Sequence, residues 1–235
     1  MALPFFYKAD LDLKTTQEIL DEDTSKHIVQ VLRMQNGEKI QLTDGKGNLY
    51  TAEIVDDNRK KCELKILSCS SHPSSSKKIT IAISLVKNST RFEWFLEKAT
   101  EIGVSEIVPL LCSRTEKQHF RHERMKSILI SAMLQSQQTW LPILHEPTKF
   151  SNFLHSAVTG KKFIAHCEAG EPRIELKGYH PFGDSCMLIG PEGDFSLDEI
   201  ELALENNFLP VTLGNTRLRT ETAGVVAAVL LCING

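Results

Sequence analysis

The sequence predicts an α/β protein in which a small β-barrel or meander precedes a larger parallel sheet with helices on both faces. Three observations carry this reading: strand-like runs alternate with turn signals from Lys39 to Leu67, a serine-rich stretch with a proline follows over Ser68–Lys78, and from Ile79 onward strands alternate with helical patterns. The expected domains are 1–70 and 79–235, joined by a linker over 71–78.

In the first domain the runs Lys39–Thr43, Leu49–Val55 and Lys61–Leu67 are separated by Asp44-Gly-Lys-Gly-Asn48 and Asp56-Asp-Asn58, which are turn chemistry. Ser68–Lys78 is too polar and too rich in serine to form a packed element, so it reads as linker. The strand Ile79–Val86 then opens the second domain. In the helix after it, Thr90 and Glu93 have capping-box spacing, Phe92, Phe95, Leu96, Ala99 and Ile102 share one stripe, and Gly103 supplies the stop. Glu93, Glu97 and Glu101 recur every four residues, as a solvated helix face does. A strand over Ile107–Leu111 continues the alternation. Near the end, Cys186–Ile189 is a buried strand running into Gly190-Pro-Glu-Gly193, and Ser196 with Glu199 forms a second capping box that starts a helix at Leu197. Val211–Leu213 is a further strand, and an almost wholly apolar helix runs from Thr222 through Ile233.

Composition excludes several functional classes. Of 235 residues, 27 are Lys or Arg and 30 are Asp or Glu, so the formal charge of -3 rules out a polycation held on nucleic acid by bulk charge. Any such binding has to come from local patches. Arg114, Lys117, Arg121, Arg124 and Lys126 form one, with only Glu116 and Glu123 opposing, and Arg59, Lys60 and Lys61 form another. The longest apolar run, Ala223–Ile233, is far shorter than the roughly 20 residues that cross a bilayer, and the start carries no basic region followed by a long apolar stretch. A cytoplasmic protein without a membrane partner is expected. The six cysteines form no C-x-x-C pair and the histidines no H-E-x-x-H, so no metal is expected. G-x-x-x-x-G-K-[ST], G-x-G-x-x-G and G-x-S-x-G are all missing, which leaves nucleotide-phosphate, dinucleotide and serine-hydrolase readings without their signatures. Trp94 and Trp140 could stack on a base, although core or interface duty is the commoner fate of an isolated aromatic.

Two segments stand out as ligand-binding candidates, because each is a buried strand that ends in glycine and polar residues. Glycines at the carboxyl ends of parallel strands let the backbone approach a ligand closely. An ordinary Gly-Pro turn would explain the first segment taken alone, and an internal Arg–Glu pair the second, where Arg217, Arg219 and Glu221 stand between a buried strand and a buried helix.

Gly190-Pro-Glu-Gly193 with Phe195-Ser196-x-x-Glu199, followed by Leu213-Gly214 and Leu218-Arg-Thr-Glu-Thr-Ala223, resembles the signature of the RsmE-type 16S ribosomal RNA uridine N3-methyltransferases, members of the SPOUT superfamily. Arg91-x-Glu93, Lys98–Val104 and His27–Met34 with Gly37 resemble further family positions, so the likeness spans nearly the whole chain. Three departures are visible. Asp194 stands at the last glycine of Gly-Pro-Glu-Gly-Gly, a Glu-Gln-Ser-x-Arg stretch appears as Leu134-Gln-Ser-Gln-Gln138, and the arginine before the Leu-Arg-Thr-Glu-Thr run sits one place later, at Arg217.

The resemblance implies a C-terminal SPOUT domain with a trefoil knot, an N-terminal PUA-like RNA-binding barrel, and S-adenosyl-L-methionine as cofactor. The small, mostly apolar tail from Thr222 suits a threaded chain end, since knots are rare and bulky ends hinder them. Cofactor binding is expected from Leu188, Ile189, Gly190, Glu192, Gly193, Leu213, Gly214, Leu218, Arg219, Thr220, Thr222 and Ala223. Arg219 is expected to stabilise charge on the base, with Glu221 as candidate general base, and Arg33, Arg114, Lys117, Arg121 and Arg124 to contact RNA. The implied reaction is N3-methylation of one uridine in 16S rRNA of the small ribosomal subunit, by resemblance the nucleotide numbered 1498, carried out by a homodimer. A SPOUT methyltransferase of another RNA site and a non-catalytic RNA-binding assembly protein are the alternatives.

Overall fold

The computed structural model describes residues 3–116, 119–156, 159–168, 173–178 and 183–233. Two compact units result: the chain up to Ser74 together with Met133–Leu141, and Ser75–Ala132 together with the chain from Pro142 onward.

The first unit is a five-stranded sheet of order β1-β3-β4-β5-β2, made of β1 (Phe5–Tyr7), β2 (Gln17–Ile19), β3 (Lys39–Thr43), β4 (Asn48–Asp56) and β5 (Glu63–Ser71). The antiparallel meander β3–β4–β5 matches the sequence reading, whereas the two three-residue edge strands carried no periodicity long enough to read. Strand alternation buries Ile40 and Leu42 of β3 with Tyr50, Ala52 and Ile54 of β4 and Leu64 of β5, and a short helix α1 (Glu22–Lys26) passes through a π-helical turn, His27–Val31, that adds Ile28 to this core. Asp44 builds the β3–β4 turn by accepting from the Lys46 and Asn48 N–H groups at 2.8 and 3.2 Å.

The serine-rich stretch corrects the linker reading at its start: Ser68–Ser71 pair with β4 as the end of β5, because ladder bonds to Asn48–Thr51 outweigh weak strand preference. Met133–Leu141 is a second difference. The segment joins the first unit, where the Thr139 carbonyl accepts from Gly47 N–H at 2.9 Å, Leu141 N–H donates to Gly45 at 2.9 Å and the half-exposed Trp140 donates Nε1–H to His72 O at 3.0 Å.

The second unit contains β6 (Ile79–Ser84), α2 (Ser89–Ile102), β7 (Glu106–Leu111), α3 (His122–Gln135), β8 (Ile143–Leu144), β9 (Thr148–Lys149), α4 (Phe150–Leu154), β10 (Lys161–Ala165), β11 (Ile174–Glu175), β12 (Ser185–Ile189), α5 (Leu197–Glu205), β13 (Leu209–Thr212) and α6 (Thr220–Ile233). α3 is the element that ends in the other unit. The sheet runs β11-β13-β10-β12-β6-β7-β8, with β9 also on β7, and every pairing in it is parallel. β6 and β12 are buried along their whole length, as strands covered on both faces must be. On one face α4 and α5 bury Phe150, Phe153, Ile200 and Ala203 against Ala82 and Leu188. On the other, α6 packs on β6 and β12, and α2 packs on α6.

The start of α2 differs from the expected capping box: Asn88, not Thr90, is the N-cap and accepts from Thr90 N–H at 3.0 Å. Glu93 is instead engaged by Arg124 of α3 through bonds of 2.7 and 3.0 Å. Gly103 closes the helix at φ 98°, and the Ser196–Glu199 capping box opens α5 as the spacing requires. The remaining glutamates of the α2 face, Glu97 and Glu101, pair with Lys98.

Gly224 permits the close approach of α6. A Cβ there would lie 2.7 Å from the Phe95 ring and 2.8 Å from Ile83 Cδ1. Gly224→Ala should therefore lower unfolding stability by about 1–3 kcal/mol through overpacking, despite the better helix propensity of alanine; denaturant titration measures it, and an unchanged midpoint would contradict the close packing.

Candidate active site

In a parallel sheet every strand delivers its following loop to the same edge, so ligands gather outside the carboxyl ends. Here the loops after β10, β12 and β13 converge around a cavity of about 860 Å³. Ala165, His166 and Cys167 come from the first, Ile189–Glu192 and Asp194 from the second, and Leu213–Arg219 from the third, with Thr220 and Ala223 of α6 on the same wall.

Two hydrogen-bonded joints shape this cavity. Buried Thr220 donates its hydroxyl to the Gly190 carbonyl at 3.0 Å, which fastens the start of α6 to the end of β12. Asp194 ends the turn whose N–H donates to Pro191 O at 2.9 Å, and its backbone is left-handed, at φ 64°. Its Oδ1 accepts from Phe195 N–H at 2.8 Å and its Oδ2 from Cys167 N–H at 2.7 Å. Glu192 Oε1 accepts from Lys87 N–H at 3.0 Å.

Nine of the residues expected around the cofactor line the cavity: Ile189, Gly190, Glu192, Leu213, Gly214, Leu218, Arg219, Thr220 and Ala223. Leu188, Gly193 and Thr222 do not. Leu188 is core, and Gly193 backs onto Arg114 with its carbonyl accepting from Arg114 Nη1 at 2.6 Å. Thr222 is a half-buried residue of α6 outside the lining.

The two residues expected to act on the base separate. Arg219 is exposed at the cavity. Glu221 lies outside the lining, 94% buried, with Oε1 3.7 Å from Arg91 Nε and Oε2 without a hydrogen-bond partner among the described residues. Its place on α6, one residue past Thr220, turns it towards α2 and away from the cavity.

The expected RNA-contacting arginines also differ in setting. Arg114 braces the loop after β12 through Gly193 O and through Phe195 O at 3.2 Å, and Arg124 is held by Glu93. Arg121 is exposed, with Nε donating to His119 Nε2 at 3.3 Å. Arg33 belongs to the first unit, exposed, with a left-handed backbone at φ 57°. Lys117 lies outside the described residues. Residues 165–167 and Arg173 are the part of the lining that the sequence did not reveal. Lys161–Ala165 begins with two lysines and has too short an apolar run to announce a central strand.

Two buried cysteines of this unit, Cys112 and Cys186, lie outside the lining. Burial pushes the Cys112 thiol up to about 12, with the Glu199 carboxylate adding to the rise, and burial holds the Cys186 thiol at about 12 as well. Both stay protonated at neutral pH and neither can serve as a thiolate nucleophile.

Residues 73–232 match the RNA methyltransferase domain family, and residues 20–67 match the RNA methyltransferase PUA domain. A ribosomal RNA small subunit methyltransferase E from Synechocystis is 30% identical over 207 residues, covering 86% of this chain and 68% of that protein. The chain belongs to the RsmE-type RNA methyltransferases. Solved structures of this family superpose closely. A probable rRNA-methyltransferase from Porphyromonas gingivalis has 40% identity and a TM-score of 0.89, with 96% of this chain and 95% of that one covered. The ribosomal RNA small subunit methyltransferase E of Neisseria gonorrhoeae, solved bound to S-adenosyl methionine, has 30% identity and a TM-score of 0.81 over 96% and 95%. The RsmE-type signature segments are thus the ones that this fold brings to a single cavity.

Thr220→Val should remove the bond that joins those segments and leave the Gly190 carbonyl buried without its donor. A stability loss of about 1–3 kcal/mol is expected, together with weaker ligand binding at the cavity; calorimetry on the folded variant reads the second effect, and wild-type affinity would show that the joint does not shape the site.

Proposed function

We propose that this protein transfers the methyl group of S-adenosyl-L-methionine to N3 of a uridine in 16S ribosomal RNA of the small subunit. The observation that carries the reading is the convergence of Ile189–Glu192 and Leu213–Ala223 on one cavity in a chain of this family. About 860 Å³ lies within the roughly 300–1,000 Å³ usual for small-molecule sites. Its apolar lining, Ile189, Val211, Leu213, Leu218 and Ala223, suits a purine and ribose, and Gly190 and Gly214 let the backbone approach that ligand without a side chain between. The cofactor supplies an electrophilic methyl group on a sulfonium.

This chain's own residues then have two tasks, alignment and charge. The strand-end loops hold the donor in a fixed place, so that the base has only to be brought in line, and proximity accounts for most of the rate. Uridine N3–H lies between two carbonyls, and negative charge left by its proton spreads over both oxygens. The exposed Arg219 guanidinium at the cavity is placed to favour that charge. Glu221, facing Arg91 and outside the lining, orders the first turn of α6 instead of taking the proton, which leaves to solvent at the open side of Arg219. Arg33 and the exposed Arg59, Lys60 and Lys61 of the first unit, with Arg121, supply phosphate contacts that net charge cannot. A chain of formal charge -3 gains little from generic attraction, which favours folded, assembled RNA as substrate.

Calorimetry with S-adenosylmethionine tests the site, and mass spectrometry of 16S rRNA from a deletion strain tests the target. Arg219→Ala should cut turnover on assembled subunits about a hundredfold or more while changing cofactor affinity far less. Wild-type turnover would remove Arg219 from the mechanism.

A homodimer completes the proposal. Along α6, Val225, Val229 and Ile233 form an outward apolar stripe at helical spacing, with Val229 and Ile233 exposed, and Trp94 of α2 is also exposed. Light scattering at micromolar concentration should give twice the chain mass for the wild type, and Val229→Glu should shift it towards monomer.

A further inference from the structure

The peptide group between His166 and Cys167 is gripped at both ends by opposite charges. Its carbonyl oxygen accepts from Arg173 Nη1 at 2.7 Å, and its N–H donates to Asp194 Oδ2 at 2.7 Å. A positive group on the oxygen and a negative group on the N–H follow the peptide dipole, so each bond strengthens the other and the plane of that peptide is fixed. Arg173, His166, Cys167 and Asp194 all line the cavity, and the peptide leads out of β10 directly into its wall.

Asp194 is strained for this duty. At φ 64° a glycine would be at ease, and aspartate is among the few other residues that tolerate the left-handed region. A residue present only to fill that turn would not need a carboxylate reaching Cys167, 27 positions away in sequence. The opposite side of the same loop is held by Arg114 on the Gly193 and Phe195 carbonyls, so Asp194 is the fastening that connects the loop after β12 to the loop after β10.

We infer that Asp194 and Arg173 form a clamp on the His166–Cys167 peptide that keeps two walls of the cofactor cavity in register, with Asp194 as a positioning residue for the methyl donor. This rests on the placement of the donor in that cavity. The clamp sets cofactor affinity without touching the reacting atoms, and it is a property of the carboxylate rather than of the turn.

Asp194→Gly, Asp194→Asn and Ala223→Leu separate the possibilities. Asp194→Gly relieves the left-handed strain and Asp194→Asn keeps the left-handed tolerance, but neither retains two carboxylate oxygens. Both should stay folded in thermal unfolding, bind S-adenosylmethionine about tenfold more weakly by calorimetry, as loss of a charge-assisted bond implies, and raise KM for it more than they lower kcat. In the unliganded protein, hydrogen exchange at the Cys167 amide should accelerate in both, a change that loss of a direct contact to the donor would not produce. A cycle of Asp194→Asn with Arg173→Lys should show coupling between the two ends of the peptide. Wild-type affinity and wild-type Cys167 exchange in Asp194→Gly, with binding abolished by Ala223→Leu, would overturn the clamp and leave the cavity assignment standing. Unchanged binding in all three variants would overturn both.

Discussion

The hydrogen bond from buried Thr220 to the Gly190 carbonyl is the constraint on which the site depends. Parallel strands bring their loops to one edge but do not by themselves bring two loops together. β12 and β13 are not neighbours, since β10 lies between them, so something has to reach across. Thr220 does this from the first turn of α6, and Gly224 one turn later lets the helix sit close enough on Phe95 and Ile83 for the reach to succeed. A side chain at 224 would push α6 outward, lengthen that bond and carry Thr220 and Ala223 away from the rest of the cavity wall.

Charges around the cavity are spent on geometry more than on ligand. Arg114 and Asp194 fix the loop after β12 from its two sides, Arg173 steadies the exit of β10, and Glu192 engages the backbone before α2. Each of these groups meets a peptide carbonyl or N–H, which keeps irregular loops rigid without a regular ladder. Arg219 stands apart as an exposed guanidinium at the mouth.

Much of this was legible in the sequence because it rests on local rules. The β3–β4–β5 meander follows from alternation and from Asp44–Asn48 turn chemistry, the start of α5 from Ser196 and Glu199, and the two motif segments from apolar strands that stop at glycine. What was hidden is non-local. Asn88 caps α2 where the spacing pointed to Thr90, and Glu93 meets Arg124, 31 residues away. Glu221 could not be told from a cavity residue, since neighbours on a helix point in different directions and only the packing of α2 decides which faces Arg91. The loop after β10 has too little apolar length to be seen, and the carboxylate that holds it is remote in sequence.

The return of Met133–Leu141 to the first unit has a consequence for synthesis. The chain passes between the two units three times, after Ser74, Ala132 and Leu141. A growing chain that has released only its first 74 residues lacks Thr139, Trp140 and Leu141, which supply bonds to Gly45, Gly47 and His72. The small sheet can begin to form early, yet it gains its last strap only after α3 has left the ribosome. Cutting the gene at the serine-rich stretch would leave the first fragment without its Met133–Leu141 strap and the second carrying that strap without the sheet it belongs to.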